Sequence, residues 1–107
     1  MASRAMVNVP ATARRGEIIE LKAIISHVME TGFRRTQLGE VIPRDIINLF
    51  VCTYNGTEIF RAELYSAIAA NPLITFTTVA TESGTITFTW SGDRNFSLTE
   101  SAAITVA

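Results

Sequence analysis

The chain holds a single cysteine, Cys52, and a single histidine, His27, so its choices for thiol, imidazole and soft-metal chemistry are few. One cysteine cannot form an intrachain disulfide, a cysteine-rich zinc site or an iron–sulfur cluster. One histidine excludes any metal site that needs two imidazoles. A Cys52–His27 nucleophile–base pair is the thiol chemistry left open. A reactive thiol needs a lowered pKa and access to solvent, yet no cation lies near Cys52 in sequence. A free cysteine inside a strand ordinarily packs as a small apolar side chain, and His27, at a strand end, reads as a hydrogen-bonding loop residue. Three carboxylates, Glu30, Glu40 and Asp45, are interleaved with Arg34, Arg35 and Arg44. That mixture reads as ion pairs on a solvated loop rather than an acid–base couple. The same guanidinium forks also suit carboxylates on a partner protein, and arginine is enriched in interfaces. Phe33, Tyr54, Phe60 and Tyr65 are candidate apolar anchors, although aromatic residues of this kind more commonly fill cores. Glycine-rich phosphate loops, nucleophile elbows and paired metal-ligand motifs do not occur, so no cofactor is expected.

These residues must be positioned by a small domain. Its 107 residues are 48% apolar, with nine Lys or Arg against ten Asp or Glu, which fits one compact unit over residues 1–107. A net charge of -1 gives no electrostatic reason to expect nucleic acid or an anionic membrane as partner. Fourteen Thr, twelve Ile and seven Val make 33 β-branched residues, a composition that favours strands. Met1 to Asn8 contains no apolar run long enough for a secretory signal, and no window approaches the roughly 18 apolar residues that span a bilayer.

Alternation with period two marks the strands. Ile19, Leu21, Ala23 and Ile25 share one face of Glu17 to Ile25. In Ile46 to Tyr54, Ile47, Leu49 and Val51 fall on one side, with Phe50, Cys52 and Tyr54 on the other. Asn55-Gly56 then suits a type I′ turn, because both central residues need positive φ, and Thr57 to Leu64 completes a hairpin. Leu73 to Ala80 and Thr85 to Trp90 follow, the latter with Ile86, Phe88 and Trp90 inward. Ala102, Ile104 and Val106 give a last inward face, and a short first strand runs from Ala5 to Val9. About seven antiparallel strands in this length predict an all-β, immunoglobulin-like sandwich lacking the usual disulfide. Two segments break the pattern. Residues 27–45 form a long, mixed loop, of a length usually tied to function. Ser66 to Pro72 reads as one helical turn stopped by Pro72.

The order of Ile25-Ser26-His27-Val28-Met29-Glu30-Thr31-Gly32, Ile42-Pro43-Arg44-Asp45-Ile46-Ile47-Asn48 and Phe50-Val51-Cys52-Thr53-Tyr54-Asn55-Gly56 resembles the SoxZ family. Ala67-Ile68-Ala69-Ala70-Asn71-Pro72, Ala80-Thr81-Glu82-Ser83-Gly84-Thr85 and Phe88-Thr89-Trp90 extend the resemblance from about Val9 to Val106. Val28, where the family often has proline, and the turn Gly92-Asp93-Arg94-Asn95 depart from it. The resemblance implies a non-catalytic subunit of the SoxYZ carrier of bacterial thiosulfate oxidation, in a heterodimer with SoxY that can assemble further. In that family, SoxY holds sulfur intermediates on the cysteine of a flexible C-terminal arm and visits SoxAX, SoxB and SoxCD. Residues 102–107 contain neither cysteine nor glycine, which matches the Z subunit and not the Y. It further implies a periplasmic location reached by co-export with SoxY, without a signal peptide on this chain; self-association of the isolated chain, through the surface SoxY would cover, is left open by the sequence. Met29, Glu30, Arg34, Arg35 and Arg44 in the long loop are the candidate partner-binding residues. Two rivals stand beside this reading, a thiol-dependent enzyme or carrier built on Cys52 and a cell-surface adhesion sandwich.

Overall fold

A computed structural model describes residues 4–107; residues 1–3, part of the stretch read above for a secretory leader, lie outside the described residues. Eight strands are present: β1 (Ala5–Asn8), β2 (Thr12–Ala13), β3 (Ile18–Ile25), β4 (Ile47–Tyr54), β5 (Thr57–Glu63), β6 (Leu73–Val79), β7 (Gly84–Gly92) and β8 (Ser97–Val106). They form a three-stranded sheet in the order β1-β3-β6 and a five-stranded sheet in the order β2-β8-β7-β4-β5. Seven correspond to the strands expected from alternation. The eighth, β2, is two residues long and runs parallel to β8 through Thr12 and Thr105, the one departure from antiparallel pairing. A pair of residues is too short to show any periodicity in sequence.

Burial follows the alternation closely. Ile19, Leu21, Ala23 and Ile25 of β3 face Phe50, Cys52, Ile86, Phe88 and Trp90 across the interior. Phe50 is the hub of the aromatic core, its ring centroid 5.2 Å from Trp90 and 6.1–6.2 Å from Phe60, Phe76 and Phe88. Phe60 and Phe76 stack at 4.3 Å and join the two sheets along one edge. Asn55 and Gly56 adopt φ of 49° and 83°, as the hairpin turn requires. Two details differ from simple alternation. The β4–β7 register shifts between Ile47 and Leu49, and this bulge turns Ile47 into the core beside Ile46. Ser66 to Pro72 forms no helix: a single turn closes from the Ile68 amide to the Tyr65 carbonyl, and Asn71 sits at φ 54°.

Residues 27–45 are more ordered than a loop. Isolated bridges pair Glu30 with Asp45 and Arg35 with Val41, so the segment goes out and back as an irregular hairpin arm. It leaves the end of the sandwich where β3 stops and β4 begins. The molecule is correspondingly long, 60 × 21 × 18 Å, whereas its longest strand of ten residues accounts for about 33 Å.

Candidate functional site

The arm has a fixed root. His27 is buried, with 8% of its surface exposed, and its Nδ1 accepts a hydrogen bond from the Met29 amide at 2.9 Å. That geometry places the proton of neutral His27 on Nε2, which points toward Asp45 Oδ1 at 3.8 Å. The ring edge packs on Phe96, and the His27 amide donates to Asn71 Oδ1. Met29 takes a positive φ of 52°, which turns its side chain inward, where Sδ accepts the Ile47 amide at 3.3 Å. The Glu30 and Asp45 amides and carbonyls then close the base of the arm. Burial of these groups leaves the backbone here little freedom.

Above the root, charges pair across the arm and with the sandwich. Arg34 grips Glu30 through Nε and a terminal nitrogen. The hydrogen bond and charge of Arg34 hold the Glu30 carboxyl below the usual range, against the opposing effect of desolvation. Arg44 forms a two-point bridge to Asp93 at 2.8 and 2.9 Å, and Asp93 also accepts the Ile46 amide. Its carboxyl is held low first by the Arg44 hydrogen bond. Thus Arg44 ties the returning leg of the arm to the turn between β7 and β8. Gly32, at φ 87°, lies against Arg44 so closely that a Cβ would stand 2.9 Å from the Arg44 Cβ; here the two legs touch. Arg35 donates to the Gly39 carbonyl, and Ser66 Oγ donates to the Thr31 carbonyl, bracing the arm from the β5–β6 connection.

Of the five residues singled out from sequence, Arg34, Arg35 and Arg44 stand exposed on the arm, whereas the Glu30 carboxylate, gripped by Arg34, is largely covered. Met29 does not present a surface: it is 4% exposed and anchors the arm from below. The arm also carries exposed apolar side chains, of which only Phe33 stands out as an anchor in the sequence. Leu38 at the tip is 89% exposed and Phe33 is 83% exposed, with Val41 and Val28 also largely exposed. The four aromatic anchor candidates divide evenly. Phe33 and Tyr65 face solvent, while Tyr54 is buried and Phe60 is packed against the core. Leu38 could have been noticed as a large apolar residue beside Gly39 in a polar loop.

Cys52 has no exposed surface, and burial pushes its thiol up to about 12. The reactive thiolate is therefore suppressed at neutral pH. No group of three or more His, Cys, Asp or Glu among the described residues could hold a metal ion. The arm thus carries large exposed apolar side chains on the same segment as three exposed arginines, with aromatic residues and arginine being types enriched at interfaces.

Comparison with known proteins agrees with the sequence pattern. A family model described as "Sulphur oxidation protein SoxZ" matches residues 6–103. No match is found among curated proteins. Among solved structures, a superoxide reductase (neelaredoxin) from Ignicoccus hospitalis is similar with a TM-score of 0.75 and 14% identity, over 96% of this chain and 80% of that one. A putative superoxide reductase from Thermotoga maritima gives 0.70 and 16% identity, over 96% and 85%. The CARDB domain of a Pyrococcus furiosus protein, in complex with di-metal ions, gives 0.58 and 11%, over 99% and 94%. At these identities the likeness is one of fold and extends to an immunoglobulin-like sandwich, not to the chemistry those names carry.

Proposed function

The chain belongs to the SoxZ family, with a role in the sulfur oxidation system, and from this premise we propose that it is the non-catalytic platform of a SoxYZ carrier, docking SoxY through the arm at residues 27–45. The observation that carries the reading is the contrast within that arm. Its root is buried and hydrogen-bonded, whereas Phe33 and Leu38 are 83% and 89% exposed. Two of the most exposed large apolar side chains of the described residues thus stand on one short arm, where they offer apolar area for a partner to cover. Arg34, Arg35 and Arg44 keep donors free beyond their internal partners and suit carboxylates at the rim of such a contact.

In this reading the chemistry stays on SoxY, whose cysteine carries the sulfur, and the platform fixes where the SoxY arm projects while SoxAX, SoxB and SoxCD approach in turn. The complex works in the periplasm and reaches it by co-export with SoxY. The rival reading, a thiol-dependent enzyme or carrier on Cys52, needs a thiol that meets solvent, and Cys52 has no exposed surface.

The test is titration of SoxY against the wild-type chain, against Phe33→Ser with Leu38→Ser, and against Arg34→Glu with Arg35→Glu. Each double substitution lies on exposed arm positions, so melting temperature stays within a few degrees of wild type. Loss of the apolar pair weakens SoxY binding at least ~10-fold, as expected of central anchors. Charge reversal slows association and lowers its salt dependence. Unaltered affinity in both variants would remove the arm from the interface.

A further inference from the structure

Three of the four sheet edges are guarded against pairing with another chain. On β5, Glu58, Arg61 and Glu63 supply charge, and a register shift opposite Cys52 and Thr53 adds a bulge; β1 and β2 are only four and two residues long. Charge, bulges and brevity are the usual protections of an edge strand. β6 has none of them. Its seven residues, Leu-Ile-Thr-Phe-Thr-Thr-Val, are uncharged and follow Pro72, and among the described residues they pair with β3 alone.

The outward face of this sheet has a definite pattern. Met6, Ile24 and Leu73 lie in one cross-strand row at the end nearest the arm, all exposed. Asn8, Lys22 and Thr75 form the next such polar row, then Glu20 opposite Thr77, and finally Ile18 opposite Val79, again apolar and exposed. The sequence is therefore apolar, polar, polar, apolar along the strand direction.

We propose that two copies of this chain pair edge to edge along β6, antiparallel about Phe76, to form a continuous six-stranded sheet. A two-fold axis at Phe76 sets Leu73 opposite Val79 of the second copy and Thr75 opposite its Thr77. Every outward row then continues in kind. The apolar row Met6–Ile24–Leu73 runs on into Val79 and Ile18 of the second copy. The polar row Asn8–Lys22–Thr75 runs on into Thr77 and Glu20, so a lysine row in one copy ends on a glutamate in the other. This self-complementarity is what an isologous interface requires, and it selects a second copy over an unrelated strand. Because the pairing is antiparallel, the two arms point to opposite ends and both stay free. Seven paired residues bury less than the roughly 1,600 Å² of a standard stable interface, so the dimer is weak and dissociates on dilution.

Sedimentation velocity of the purified chain over a concentration series reaching about 500 μM tests this, using a range suited to weak association. The wild type is expected to move from monomer to dimer across the series. Thr75→Glu with Thr77→Lys places opposite charges face to face between copies, and also sets each new charge beside its opposite on β3; this variant dimerises at least as well as wild type. Thr75→Glu with Thr77→Glu sets like charges face to face at both symmetry-related positions and weakens the dimer at least ~10-fold. Both substituted sites, Thr75 and Thr77, are exposed, and circular dichroism checks that the fold is kept. A wild type that stays monomeric throughout, equal dimerisation of the two charge variants, or loss of the dimer in the opposite-charge variant would each overturn the proposal.

Discussion

Cys52 shows how burial sets chemistry at the scale of one residue. Its thiol stands at about 12 against an ordinary 9.0, so the unfolded chain releases this proton at lower pH than the folded one. The stability it supplies is complete below pH 9.0 and declines as pH rises from there toward about 12. Denaturant melts of Cys52→Ala should show that alkaline decline flattened, and the native wild type should react with a thiol reagent far more slowly than the unfolded chain. Asp93 gives the opposite sign. Its carboxyl is held below 3.8 by Arg44 first, then by the Ile46 amide against desolvation, so its contribution is present above that value and lost as pH falls through the lowered one. Asp93→Asn should therefore make the acid limb of the stability curve shallower, measured in the same melts. In the core, Phe50→Ala should cost about 3–5 kcal/mol, since it empties the centre of the aromatic cluster. Trp90 is different, because its Nε1 is buried without a partner. Removing that orphaned donor offsets part of the lost packing, and Trp90→Phe should cost less than about 2 kcal/mol. Composition pointed correctly to a packed cysteine. It could not place Met29, whose inward turn depends on a positive φ and on acceptors supplied by His27 and on the Ile47 amide, far away in sequence.

The elements divide by how local their causes are. Alternation located seven strands because each has one face in the same core, and Asn55-Gly56 announced its hairpin through the φ values the turn demands. The strand β2 escaped notice because its two residues are held by β8 from the far end of the chain. Ile47 was assigned to the wrong face of β4, as a bulge advances the register by one residue there and reverses the pattern before it. The arm had the length and composition of a functional loop, yet its hairpin character rests on isolated bridges and charge pairs that leave no periodic trace. At the junction of its legs Gly32 takes φ 87° with a Cβ position already blocked by Arg44. Gly32→Ala should cost about 1–3 kcal/mol through backbone strain and the clash, seen as a lowered melting temperature. With the arm as the proposed SoxY dock, it should also weaken SoxY binding, since the arm can no longer close on Arg44. An unchanged melting temperature would show that the legs part easily and that the root is not stiff.

The whole molecule is an elongated sandwich with a braced arm at one end and an unguarded strand edge along one side. Its fold is shared with proteins of quite different names, so the sandwich itself says little about function. In the proposed reading, function lies in what is grafted on it, an arm that projects exposed apolar side chains from a hydrogen-bonded root. A carrier whose cysteine swings on a flexible arm gains from such a base, because a fixed origin confines the reach of the swinging group. Amide hydrogen exchange of this chain, alone and with saturating SoxY, tests that claim most directly. Slowed exchange is expected across residues 30–45 on complex formation, with little change at β7 and β8. Protection confined to other surfaces, with the arm exchanging as it does in the free chain, would contradict it.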